Sequence, residues 1–287
     1  MNPLDRLEVF NQHRPLLFSV AYRMLGTRAD AEDLLQECYL RWSAAQAEAI
    51  ESPKAYLVTT MTRLAIDQLR SARVKREEYV GPWLPEPVLD GQVEEPVELA
   101  ESLSMAFLLL LERLSPVERA VFLLKEVFDY DYDEIAATVG KSAVHCRQVV
   151  VRAKKHLKDQ RPRFEVAKKE HDAIVQRFLA ACGTGDLPGL LSMLKQDIVL
   201  YSDGGGKVRS ALNPIHGADH VARFFLGVAK KAPPGLSVRL TRINAQPGVV
   251  LLLGHEVFSV LVLSIADGVI EEIYAVNNPD KLPSWTA

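Results

Sequence analysis

Apolar positions recur at helical spacing through the first half of the chain and in β-type runs toward its end. Residues 7–44 read as helical, with Leu16, Leu17, Val20, Ala21 and Met24 on one face and a break at Gly26-Thr27. Asp30-Ala31-Glu32-Asp33 opens a second helix with carboxylates in its first turn, where the helix dipole favours them. Leu34, Leu35, Cys38, Tyr39 and Trp42 form its stripe and leave Asp33, Gln36 and Glu37 to solvent. Ser52-Pro53 starts a third helix that runs to about Lys75, with Leu57, Met61, Leu64 and Leu69 inside and a cationic end. Residues 79–98 change texture: Gly81-Pro82, Pro85, Pro87 and Pro96 exclude a long helix and predict a linker. The cluster Trp83-Leu84-Pro85-Glu86-Pro87 within it implies a surface to dock on, because a large aromatic held among prolines is costly to leave in water.

Helices resume near Leu99. Ser115-Pro116-Val117-Glu118 places a cap, a first-turn proline and a capping-box glutamate together. Asp131-Tyr132-Asp133-Glu134 starts another helix, with Ile135, Ala136 and Val139 inside, and Gly140 ends it. Ser142 begins a long helix to about Lys158 with Cys146, Val150, Ala153 and Leu157 on its buried face. After Arg161-Pro162, a helix over 166–181 and a second one opened by Asp186-Leu187-Pro188 precede β-type runs at 198–202, 236–244, 249–253, 257–265 and 269–276. A helix over 220–229 interrupts the strands, and Ala266-Asp267-Gly268 turns a hairpin. Helices followed by a curved antiparallel sheet predict an α+β domain. The expected fold is multidomain: an all-α domain over 1–78, a linker over 79–100, a second all-α domain over 101–162 and the α+β domain over 166–287.

Composition changes this picture little. Of 287 residues, 48% are apolar and 25% charged, as in a soluble globular protein, and no apolar run is long enough to span a bilayer. No signal-peptide pattern opens the chain, so a cytoplasmic location without membrane attachment is expected. Cys38, Cys146 and Cys182 lie far apart and match no metal-ligand spacing, so neither a metal nor another cofactor is expected. Charge distribution is more informative than the net value of −3. Between Lys141 and Glu170 ten Lys or Arg face three Asp or Glu, whereas Tyr79–Ser104 has six acids and no base. Such local patches govern binding to phosphate.

Tyr132–Leu157 therefore reads as two helices joined by a short glycine-containing turn, the second one cationic on its exposed face: a helix-turn-helix whose second helix suits a major groove. An ordinary αα-hairpin with a solvated basic face gives the same pattern. The acidic helix start at 30–37 is by itself compatible with a merely solvated face. Asp203-Gly204-Gly205-Gly206-Lys207 offers a tight turn or a close backbone approach. It lacks Walker spacing, which favours an interdomain contact over a phosphate cradle.

Three motifs in order resemble the sigma-70 family: Asp30-Ala31-Glu32-Asp33-Leu34-Leu35-Gln36-Glu37 is similar to its region 2 signature, Ala65-Ile66-Asp67-Gln68-Leu69-Arg70 to the end of its −10 helix, and Leu114-Ser115-Pro116-Val117-Glu118-Arg119 with Asp133-Glu134-Ile135-Ala136 to region 4. A short linker in place of region 3 resembles the extracytoplasmic-function group. The remainder resembles a cone-shaped SnoaL-like domain. Trp83-Leu84-Pro85-Glu86-Pro87, Asp203–Lys207 and Asn278-Pro279-Asp280-Lys281-Leu282 together resemble the SigJ-like subgroup, in which this extension stands in for a separate anti-sigma protein.

The resemblance implies a promoter-specific initiation factor, not an enzyme, whose partners are core RNA polymerase and promoter DNA. It implies that Asp33, Gln36 and Glu37 dock on polymerase; that Arg63, Arg70, Arg73, Lys75 and Arg76 serve the −10 element; and that His145, Arg147, Gln148, Arg152 and Lys155 serve the −35 element, with Lys154 and Lys158 as phosphate contacts. Asp67 is expected to partner a nearby arginine. Two departures matter: Arg63 stands where relatives often carry Asn, and Val144-His145 where many carry Gly-Thr. A rival reading makes the C-terminal domain an enzyme or a sensor of an unknown small ligand, with Tyr201, Asp203, His216, His220 and His255 as candidate groups.

Overall fold

A computed structural model describes residues 3–46, 50–89, 103–157 and 168–285. The chain divides into two compact units. The first holds residues 1–77, 93–103 and 107–161; the second holds 78–92, 104–106 and 162–287.

The first unit is helical: α1 (Pro3–Leu25), α2 (Arg28–Ala44), α3 (Pro53–Glu77), α4 (Met105–Leu111), α5 (Pro116–Glu126), α6 (Tyr132–Val139) and α7 (Ala143–Leu157). The first two residues of α4 belong to the second unit. Gly26 ends α1 in the left-handed conformation (φ 73°), its N–H donating to the Tyr22 carbonyl. Leu17, Cys38, Trp42, Leu57, Met61 and Leu69 are buried among α1–α3. Ser115 and Glu118 close a reciprocal capping box at α5. The Asp131 N–H donates to Glu134 Oε2 (3.0 Å) at the start of α6. Gly140 terminates α6 with φ 67° and turns the chain into α7, whose first turn is capped by Ser142 accepting from the His145 N–H.

The second unit contains α8 (Lys168–Thr184), α9 (Leu187–Met193), β1 (Leu194–Asp203), β2 (Ile215–His216), α10 (Ala218–Ala229), β3 (Leu236–Ile243), β4 (Gln246–Leu253), β5 (Glu256–Ala266) and β6 (Val269–Val276). The strands form one sheet in the order β2-β1-β6-β5-β4-β3. The three helices cover one face, around Phe178, Leu200, Phe225, Leu263 and Ile273. Asn244-Ala245 and Asp267-Gly268, all at positive φ, make the two-residue turns of the β3–β4 and β5–β6 hairpins.

The sheet is mixed, which corrects the antiparallel expectation: β1 and β6 pair in parallel, Tyr201 beside Tyr274 and Asp203 beside Val276. Strand alternation carries no information about a distant partner's direction, so this pairing is not legible from pattern. Its consequence is local. Parallel neighbours end at the same edge, so the loops after β1 and β6 emerge side by side.

Candidate functional site

That shared edge brings three sequence motifs of the second unit together. Asp203 is fully buried at the end of β1. Its Oδ1 accepts from the Tyr79 hydroxyl (2.6 Å) and the Gly205 N–H (3.0 Å), and its Oδ2 from the Leu84 N–H (2.9 Å) and Lys281 Nζ (2.7 Å). Four donors match the acceptor capacity of a carboxylate. Lys281, itself buried, also donates to the Leu84 carbonyl (2.7 Å) and lies over the rings of Tyr79 (4.8 Å) and Trp83 (4.4 Å). Asn278 donates to the Tyr79 hydroxyl (2.8 Å), and its backbone N–H and that of Asn277 reach the Asp203 carbonyl. Burial, followed by the hydrogen bond to Asp203, holds the Tyr79 phenol well above its ordinary pKa, so it stays a neutral donor. Lys207 pairs with Asp280 (2.5 Å) in solvent, so the two loops exchange ion pairs in both directions, one buried and one exposed.

The rest of the 79–89 segment is held as closely. Leu84, Pro85, Pro87, Val88 and Leu89 are buried, while Trp83 and Glu86 are half-buried. Val88 exchanges two hydrogen bonds with Asn244: its N–H donates to Asn244 Oδ1 (3.0 Å), and its carbonyl accepts from the Asn244 N–H (2.8 Å). Leu89 bridges Ile243, and Gln246 Oε1 accepts from the Met105 N–H (3.0 Å). Tyr79, Asn244, Asn277 and Gln246 were not among the sequence-selected residues. Gly204 and Gly205 leave no room for a side chain: a Cβ on Gly205 would sit 2.4 Å from Asn278 Nδ2. Pro279, Asp280 and Leu282 continue the tail, with Asp280 accepting the Lys207 pair.

In the first unit, arginines cap carbonyls across helices. Arg63 of α3 donates from Nε to the Thr138 carbonyl (2.8 Å) and from Nη2 to the Ala137 carbonyl (2.9 Å), both in the last turn of α6, where helical carbonyls lack partners. Thr59 Oγ1 meets Thr138 Oγ1 at 3.1 Å. In the reverse direction, the buried Arg119 of α5 donates to the Met24 carbonyl (2.7 Å) at the end of α1, and Arg76 donates to the Leu25 carbonyl. Glu112 joins these two arginines, accepting from Arg119 Nη1 (2.9 Å) and from Arg76. Burial raises the Glu112 pKa, but Arg119 and Arg76 outweigh it and hold the carboxyl below its ordinary value. Arg63 and Arg76, two of the cations assigned by resemblance to DNA, are thus engaged within the chain here.

Of the other cations in α3, Arg70 pairs with Asp67 (2.9 Å), and the side chains of Arg73 and Lys75 lie outside the described residues. On α2, Asp33 and Gln36 are exposed and Glu37 pairs with Arg41 (2.8 Å). On α7, Cys146, Val149, Val150 and Ala153 are buried, while Arg147, Gln148, Arg152 and Lys155 are exposed and His145 is half-buried. Arg147 lies over the Tyr132 ring (5.3 Å), and Lys154 pairs with Glu126 (2.6 Å); Lys158 lies outside the described residues. The groups of the rival reading do not converge. His216, His220 and His255 are exposed, Tyr201 stacks on Tyr274, and Asp203 is saturated by its four donors. Among the described residues no three His, Cys, Asp or Glu side chains group as a metal site, and no helix is long and apolar enough to cross a membrane.

Comparison with known proteins follows the same division. The sigma-70 region 2 family matches residues 9–74, the sigma-70 region 4 family residues 104–157 and the SnoaL-like domain residues 175–260. The chain is 36% identical to the ECF RNA polymerase sigma factor SigJ of Mycobacterium tuberculosis, over 97% of its own length and 92% of that protein's. It is 31% identical to a probable ECF RNA polymerase sigma factor SigI from the same species, over 94% and 92%. The crystal structure of M. tuberculosis SigJ superposes with a TM-score of 0.78 at 33% identity, covering 97% of this chain and 100% of that one. The match spans sigma helices and C-terminal unit alike, and the chain belongs to the ECF RNA polymerase sigma factors.

Proposed function

We propose that this chain recruits core RNA polymerase to promoters and that its SnoaL-like unit governs how readily it does so. Asp33, Gln36 and Glu37 form the polymerase-docking surface. The helix α3 serves the −10 element through Arg63, Arg70, Arg73, Lys75 and Arg76. The exposed face of α7 reads the −35 element through His145, Arg147, Gln148 and Arg152, with Lys155 on phosphate. The observation that carries this reading is the division of α7 into a buried apolar side and an exposed side bearing Arg147, Gln148, Arg152 and Lys155, within a helix-turn-helix matched to region 4.

Regulation follows from where the cations are spent. Arg63 caps the end of α6 while Arg76 caps the end of α1 and binds Glu112, which supports reading this as a closed form in which these α3 cations are spent on the protein instead of phosphate. Residues 79–89, which follow α3, are clasped within the second unit, and in this reading that clasp favours the closed form. The dispersed histidines and the saturated Asp203 favour this role over catalysis by the C-terminal unit. Run-off transcription with core polymerase tests it: the wild-type chain supports specific initiation, and charge reversal at Asp33 and Glu37 weakens polymerase capture. Unchanged capture by the reversed variant would remove the docking assignment.

A further inference from the structure

On α7 the valines are distributed oddly. Val149 and Val150 are buried, as the core requires, but Val144 is 61% and Val151 67% exposed. An exposed helical site gives valine no packing return, and its branched Cβ disfavours the helix relative to the unbranched or charged residues usual there. Single exposed apolar side chains are ordinary, but these two are not independently placed. They are seven positions apart, nearly two helical turns, so they lie on one line with Gln148 and Lys155 along the crest of the exposed face. Arg147 flanks that line on one side and Arg152 on the other. A line of methyl groups between cations matches one surface in chemistry: a major groove whose floor carries thymine methyls and whose walls carry phosphates.

We propose that Val144 and Val151 are specificity-determining residues that read thymine C5-methyl groups in the −35 element; this rests on the assignment of α7 as the −35 reader. The Cα atoms are separated by about 10 Å along the helix axis at 1.5 Å per residue, and because a helix in the major groove is inclined to the DNA axis this spans at most about three base-pair steps at 3.4 Å each. The selected element therefore carries thymine at two positions about two to three steps apart, one facing each valine. Arg147, Gln148 and Arg152 supply hydrogen-bond readout between and beside them.

The test uses the full-length chain assembled with core RNA polymerase. Promoters are selected from a pool randomised across the −35 region, then resynthesised with deoxyuridine in place of each thymidine in turn. That exchange removes a methyl group and leaves every hydrogen-bonding edge intact. Open-complex formation is expected to fall about four-fold at each of two positions, the value of one buried methyl group. Val144→Ala is expected to abolish the methyl effect at one position and Val151→Ala at the other, each leaving the second position's effect in place. If the selected element contains essential thymines but wild-type holoenzyme is indifferent to every deoxyuridine, the valine assignment is overturned while α7 remains the −35 reader. If methyl effects appear but neither alanine variant changes them, the assignment is likewise overturned. If selection yields no preference in the −35 region, the assignment of α7 as reader fails, and this inference with it.

Discussion

Replacing Lys281 by Met keeps the aliphatic stem and removes only the ammonium. The Asp203 carboxylate then remains fully buried with Tyr79, Leu84 and Gly205 as donors but without its cation, and the Leu84 carbonyl loses the Nζ donor. Removing one partner of a buried ion pair costs about 3–5 kcal/mol. Three surviving hydrogen bonds put this case at the lower end, about 3 kcal/mol, even though the cation also leaves the faces of Tyr79 and Trp83. Because the loss is local, the readout must be local too. The Leu84 amide donates directly to Asp203, so its hydrogen exchange reports opening of the clasp, and ~3 kcal/mol corresponds to exchange faster by about a hundred-fold. Lys207→Met serves as the contrast. Its ion pair with Asp280 is more than half exposed on both sides and is screened by solvent, so Leu84 exchange should stay within a few-fold of wild type. Pairing Lys281→Met with Asp203→Asn should recover part of the loss, because no uncompensated charge remains. Leu84 exchange in Lys281→Met within two-fold of wild type would refute the view that this ion pair holds the linker.

Gly205→Ala should lower the melting temperature more than Gly206→Ala, measured by thermal unfolding: both sites have positive φ, but the Gly205 Cβ meets Asn278 Nδ2 at 2.4 Å whereas the Gly206 Cβ meets Val80 at 3.2 Å. Arg63→Asn should weaken the α3–α6 contact by about 1–2 kcal/mol, since two charge-assisted hydrogen bonds are lost at a solvent-exposed side chain; a spin-label distance between α3 and α6 that broadens in the variant checks this. Glu112 gives a pH signature. Its folded pKa lies below the unfolded value, so its contribution is complete above about pH 4.5 and is lost as pH falls through the lowered folded value. Glu112→Gln should therefore destabilise the helical unit at neutral pH and flatten its acid-unfolding profile, as followed by circular dichroism.

Local signals in the sequence were strong where one turn decides the outcome. The Ser115–Glu118 box, Gly140 after α6 and the Asp267-Gly268 turn are each fixed by neighbours within four residues, and they stand in the structure where local residue order places them. The two-residue β2 has no pattern to detect, and the parallel partnership of β1 and β6 depends on the route of the intervening chain. Tyr79 and Asn244 are invisible for a related reason. A lone tyrosine in a linker and an asparagine in a hairpin turn acquire their roles only when segments more than a hundred residues away arrive beside them. Arg63 is the most instructive position. Sequence marks it as a departure from relatives and as a cation available to phosphate, but only coordinates reveal the two helix-end carbonyls that it satisfies.

The clasp around Asp203 also sets an order of events during synthesis. Tyr79 and Asn278, which share a hydrogen bond, are 199 positions apart, and β6 together with the 279–281 turn comes after every helix of the first unit. At bacterial elongation rates of about 5–20 residues per second, roughly 10–40 s pass between the two leaving the ribosome. For that interval the linker of each nascent chain is unclasped, and over the later part of it, once Leu157 has emerged, every helix of the first unit has been made. The clasp can therefore close only after the 279–281 turn has emerged, so it cannot form before every helix of the first unit has been made.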